Sequence, residues 1–212
     1  MTIRRSALPV PRASLGLLLI SPVLLLSCEG KGSGQADSAA VARDTAATAA
    51  ASVADGQRIF RFDTFGNETF WSDTLRLHEI VEQSVDPTTA LSVGLKVDAD
   101  VLPPGILQQV DLKSPATTVA LLKLNAVVGI QASVDSANHI TKLGITCALC
   151  HSTVDNSAAP GIGRRMDGWP NRDLNVGAIV ALSKALTAAQ RAVYTSWGPG
   201  KYDPRYNLEG KN

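Results

Sequence analysis

VGIQASVDSANHITKLGITCALCH, residues 128–151, decides how the rest of the chain is read. Two short β-branched runs, 128–134 and 139–146, are parted by the turn-forming quartet Asp135, Ser136, Ala137 and Asn138, which predicts a small hairpin. Its second arm runs directly into Cys147-Ala148-Leu149-Cys150-His151, two thiols with an imidazole beside the second.

Outward from that stretch the pattern turns helical. Ser114-Pro115 opens a helix whose apolar members Val119, Leu121, Leu122, Leu124 and Val127 suit a buried face. Pro103-Pro104-Gly105 marks a turn, and Asp86-Pro87 starts a helical segment through Leu95. Ser72-Asp73-Thr74 opens an amphipathic stretch with Trp71, Leu75, His78 and Val81 or Glu82 near one face, so His78 can point inward. Asp55 caps a short helix over 56–62, broken at Gly66 and Asn67. Downstream, Pro160-Gly161-Ile162-Gly163 reads as a loop and Asn171-Arg172-Asp173 as the start of a helix through Leu182. Thr187 caps a helix ending near Trp197-Gly198-Pro199-Gly200. There is no internal repeat, and the expected architecture is mainly α with at most one small β-hairpin.

The N-terminus reads differently. Arg4, Arg5 and Arg12 precede an apolar run interrupted by Pro22 and ending at Ser27-Cys28. At about 12 residues it is too short for a permanent span, which needs roughly 20, so residues 1–27 are expected to be an export signal. Leu25-Leu26-Ser27-Cys28 resembles the bacterial lipobox, which makes Cys28 the expected lipid anchor, with a plain signal peptide as the alternative. Residues 28–54 form an Ala, Ser and Gly-rich tract with almost nothing large to bury. It is expected to be a disordered tether, and a helical reading of its alanines leaves that role unchanged. Residues 55–212 are then one domain. With 20 basic against 19 acidic residues, net charge +1, no global field recruits nucleic acid.

The cysteine motif carries the chemistry. On a short helical turn the thiols of Cys147 and Cys150 project to where they can bond both vinyl groups of a haem, while His151 reaches the iron. Zinc would want four ligands where only Cys147, Cys150 and His151 cluster, and a thioredoxin-like pair would want a βαβ unit. The export signal agrees with haem c, which is assembled outside the cytoplasm.

With the attachment motif, Gly56-x-x-Ile59-Phe60 and Ala159-Pro160-Gly161-Ile162-Gly163 followed by Gly168-Trp169, the chain resembles c-type cytochromes. The runs from Phe60 to His78 and from Cys147 to Leu182 also look like parts of larger bacterial cytochromes related to di-haem peroxidases. The resemblance implies a cytochrome c-like helical domain in which residues 61–146 are a large insertion of extra helices and the hairpin. The chain stops without the closing apolar helix of larger relatives, so it is expected to be a truncated member. Met166 or His78 is the candidate sixth ligand, an open position being the third choice. His139 is expected at the surface. Arg164, Arg165 and Trp169 are candidates to hold the haem propionates. Asp167, Asn171 and Asp173 are expected to organise the following turn, and Phe60, Phe62, Phe65, Phe70 and Trp71 to wall the haem.

The expected protein is a mono-haem c-type cytochrome that passes single electrons between redox partner proteins. Its place is the bacterial cell envelope, as a periplasm-facing lipoprotein of the outer rather than the inner membrane. The alternatives are a peroxidase-like haem enzyme acting on hydrogen peroxide and a haem-based sensor or subunit of a larger redox complex.

Overall fold

The computed structural model describes residues 34–206. The expected signal segment 1–27, the lipidation site Cys28 and the chain end beyond residue 206 lie outside the described residues. Chain contacts divide the molecule into two units, residues 1–45 and residues 46–212. Among the described residues no helix is long and apolar enough to cross a membrane.

The first element is helix α1 (Gly34–Phe62). Here the structure departs from expectation: the tract expected to be a disordered tether is helical from Gly34 and runs without a break into the short helix anticipated after Asp55. Residues 35–55 hold neither Gly nor Pro and are rich in Ala, the best helix former, so local propensity suffices. Residues 41–58 are exposed all round, so this part is helical without burying a face.

Residues 63–206 are mixed and helix-rich, and the described residues as a whole are about 46% helix and 14% strand. A π-helical turn (Thr69–Thr74) leads to α2 (Leu77–Ser84) through Arg76, whose left-handed backbone breaks the continuous amphipathic helix expected there. Helix α3 (Pro87–Ser92) begins as predicted, with Asp86 accepting from the Thr89 backbone N–H at 2.8 Å. Strand β1 (Val97–Asp98) follows, then α4 (Pro115–Lys123), which buries Val119, Leu121 and Leu122.

The predicted hairpin is β2 (Ile130–Val134) with β3 (Ile140–Ile145), antiparallel. Beyond it come the one-turn helix α5 (Ala148–His151), β4 (Ser152–Val154), β5 (Ile162–Gly163), β6 (Arg165–Asp167), α6 (Val176–Ala181) and α7 (Ala188–Thr195). β5 pairs parallel with β1, and β6 antiparallel with β4. Among the described residues the single expected hairpin is therefore one of three two-stranded sheets; two- and three-residue strands leave too short an alternation to read. Thr187 caps α7 through a reciprocal capping box with Gln190. Helix α6 starts at Val176 under Asn175, later than expected from Asn171.

The main core gathers Trp71, Leu75 and Leu77 with α4, the hairpin, Leu149, Leu174, α6 and Trp197. The free edge of β3 is covered by side chains in place of a strand. Ser72 Oγ donates to the Leu143 carbonyl at 3.1 Å and accepts from the Leu143 N–H at 2.7 Å. Asn67 does the same for Ile145, at 2.7 and 2.9 Å. The end of β3 is thus fastened on both edges just before Cys147.

Candidate functional site

Thr146 ends the hairpin by donating its N–H to the Gly129 carbonyl at 3.0 Å, and α5 turns at once. Gly129 has φ +76°, and a Cβ on it would lie 2.1 Å from the Leu149 backbone nitrogen, so the hairpin base and the turn touch backbone to backbone. Within the turn Ala148 and Leu149 are buried, while Cys147, Cys150 and His151 are exposed. Their spacing of i, i+3 and i+4 puts both thiols and the imidazole on one outward face. Among the described residues no three His, Cys, Asp or Glu side chains gather as metal ligands, so Cys147, Cys150 and His151 do not converge as a closed zinc site would require. Desolvation, then the neighbouring Cys147, pushes the Cys150 thiol above its ordinary value although the residue keeps an exposed edge, so at neutral pH it is a protonated thiol.

Large apolar side chains lie on the segments that tie to this turn. Phe60, near the end of α1, packs with Val128, Ala148 and Val154 behind the turn. The chain then passes Phe62, 41% exposed, and Phe65, 55% exposed, before Asn67 ties it to Ile145, two residues short of Cys147. Phe65 holds a left-handed backbone, φ 53°, with its N–H on Asp63 Oδ1 at 2.8 Å. On the other side Gly168 donates to the His151 carbonyl at 2.8 Å and Asn171 to the Cys150 carbonyl at 2.9 Å. Trp169, 63% exposed, lies between those two ties. Phe70 and Trp71 instead pack into the core.

The two arginines part company. Arg164 is largely exposed and faces Asp155 at 3.6 Å. The Arg165 side chain is only 4% exposed; its Nε donates to Asp167 at 2.8 Å, and its buried Nη2 has no partner. Burial lowers the Arg165 pKa against the opposing pull of Asp167. Asp167 also accepts from Ser152 Oγ at 2.8 Å, from Arg61 at 2.6 Å and from Gln57 at 3.3 Å. Burial alone would raise its pKa, but hydrogen bonds from Ser152 and Arg61 and the two guanidinium charges hold it below the ordinary carboxylate range.

Of the candidate sixth ligands, Met166 is on β6, opposite Thr153 of β4, the strand that leaves His151. His78 lies in α2, which packs against α4, β3 and the π turn. Its Nε2 is 4.0 Å from Glu79, and its buried Nδ1 has no partner. His139 is at the surface as expected, paired with Glu82. Asp173 pairs with the buried Lys96 at 2.6 Å. The structure thus brings Cys147, Cys150 and His151 onto one turn with Trp169 beside its backbone ties, sets Arg165 and Met166 on β6 against the strand that follows the turn, and places His78 on a different set of elements. Asp167, expected only to organise a turn, is held by Gln57, Arg61 and Ser152 as well; no local motif announces a Ser152 partner 15 residues off, nor Gln57 and Arg61 more than a hundred positions away.

Comparison of this chain with protein-family models, with curated proteins and with solved structures returned no match.

Proposed function

We propose that this chain is a mono-haem c-type cytochrome of the bacterial cell envelope, with haem c bonded through Cys147 and Cys150 and axially ligated by His151. The carrying observation is the outward face of α5, where both thiols and the imidazole are exposed together, with the exposed Trp169 held between the backbone ties from Gly168 to His151 and from Asn171 to Cys150. An exposed indole is costly in water, and a flat apolar ligand covering it removes that cost. The residues present fit the group: two free thiols at the attachment spacing, a histidine beside them, the exposed Trp169, and the orphaned Arg165 Nη2, which suits a carboxylate such as a propionate. On this reading the domain is cytochrome c-like, and residues 61–146 are an insertion whose π turn, helices and hairpin buttress the attachment turn.

When bound, haem supplies a one-electron iron couple. The chain's own part is to seat Ala148 and Leu149 in the core, fix His151 through its backbone, and leave one edge open to redox partner proteins. Cys28 would carry the lipid that keeps the domain at the outer membrane.

The test is the full chain exported from cells with a working cytochrome c maturation system. Expected are haem that survives denaturing electrophoresis and its loss in Cys147→Ala/Cys150→Ala. A colourless chain from cells that mature a control cytochrome overturns the proposal.

A second reading, a ligand-binding or peroxidase-like haem protein, is favoured by one observation: Met166, on β6, pairs with Thr153, two residues beyond His151, so this candidate ligand sits on the strand pair that starts from His151 itself. Carbon monoxide binding by the reduced protein without prior ligand displacement supports this reading, and refusal of it removes it.

A further inference from the structure

Asp167 is the meeting point of three parts of the chain. From α1, Arg61 reaches Oδ2 at 2.6 Å and Gln57 the same oxygen at 3.3 Å. From β4, Ser152 donates to Oδ1 at 2.8 Å; from its own strand, Arg165 donates to Oδ1 at 2.8 Å. Ser152 is wholly buried and directly follows His151, while Gly168, directly after Asp167, donates its N–H to the His151 carbonyl at 2.8 Å. The backbone of His151 is therefore gripped on both sides by groups that Asp167 holds in place. Two of the four side chains on this carboxylate come from a helix separated from it by more than a hundred residues in sequence.

We propose that Asp167 is a positioning residue for His151, and that it links the end of α1 to the orientation of the imidazole. This rests on the reading of His151 as the iron ligand. A single carboxylate saturated by charge-assisted donors is suited to the task, because such bonds are short and directional and their loss leaves two guanidinium groups facing each other. Removing Arg61, on a helix that contributes no ligand, should loosen His151 just as removing Asp167 does. A merely local role for Asp167 predicts no such effect.

The experiment compares wild type, Asp167→Ala, Asp167→Glu and Arg61→Gln in the full, exported chain. Amide hydrogen exchange should show at least tenfold lower protection at Gly168 and Asn171 in Asp167→Ala and Arg61→Gln, with Leu143 and Val180 within twofold of wild type and Asp167→Glu partly restored. In the haem-loaded proteins, a tenfold weaker hold on the imidazole moves the acid midpoint for loss of the axial-histidine spectrum up by about one pH unit. Unchanged exchange at Gly168, or an acid midpoint equal to wild type in both Asp167→Ala and Arg61→Gln, overturns the inference while leaving covalent haem attachment intact. A chain that never acquires haem overturns the proposed function instead, and exchange alone then decides whether the clamp on residue 151 exists.

Discussion

Replacing Gly129 with Ala tests how the attachment turn is seated. Two costs arise. A left-handed backbone in a residue with a Cβ costs roughly 1–2 kcal/mol. The new methyl would lie 2.1 Å from the Leu149 nitrogen and 2.2 Å from its Cα, backbone atoms that no rotamer change removes, so relief requires separating the hairpin base from α5. Overpacking of this kind adds about 1–3 kcal/mol. The total, about 2–5 kcal/mol, is a large part of the 5–15 kcal/mol that holds a typical domain together. Gly168 is the control: its φ is +79° but nothing lies within 4 Å of an added Cβ, so Gly168→Ala should show the backbone cost alone. Urea unfolding followed by tryptophan fluorescence measures both, with the slope checked for constancy. The contact argument is refuted if Gly129→Ala and Gly168→Ala differ by less than about 0.5 kcal/mol, since the conformational penalty is common to both.

Three further outcomes are expected. Leu149, buried between the two cysteines in the main core, should cost about 2–5 kcal/mol when cut to Ala, measured as a lower unfolding midpoint and a lower yield of haem-loaded protein. The His139–Glu82 pair should make stability depend on pH. The hydrogen bond to His139, with that from the Ile140 N–H, lowers the Glu82 pKa, so its contribution is present above the ordinary carboxylate value and lost as pH falls through the lowered one. Glu82 raises the His139 pKa, so that contribution is complete below the ordinary imidazole value and lost as pH rises through the raised one. The advantage of wild type over His139→Ala should therefore peak between about pH 4.3 and 6.5, and a difference flat to about pH 9 would contradict the pairing. Trp169→Ala should leave unfolding almost unchanged in the haem-free chain, because the ring is exposed, yet raise solvent access to the bound group in the loaded one. Equal quenching of the haem-loaded variant and wild type would show that Trp169 does not flank the site.

How much of this was legible in the sequence follows from range. The hairpin, the Asp86 and Thr187 caps and the turn at Cys147 are written in contiguous residues and could be read directly. Before Asp55 low apolar content points to a tether and Ala content to a helix; the second decides the backbone, since residues 41–58 form helix without burying a face. Arg76 broke an amphipathic pattern that looks continuous, since nothing local announces a left-handed non-glycine residue. In the site, the outward face of α5 follows from spacing alone. Arg164 and Arg165 look alike in sequence, and only strand pairing decides that the second turns inward. The partners of Asp167 and the placing of Phe65 depend on where α1 ends against the rest, which periodicity does not encode.

The side-chain plugs on β3 have a consequence beyond the site. A bare outer edge would let a second copy zip onto the hairpin, and the chain is most exposed to that before its fold is complete. Because Asn67 and Ser72 lie in and just before the π turn that follows α1, the seal forms only once the segment before the hairpin has folded back over it. Variants that delay this step should be lost to self-association before they finish folding, whatever their final stability.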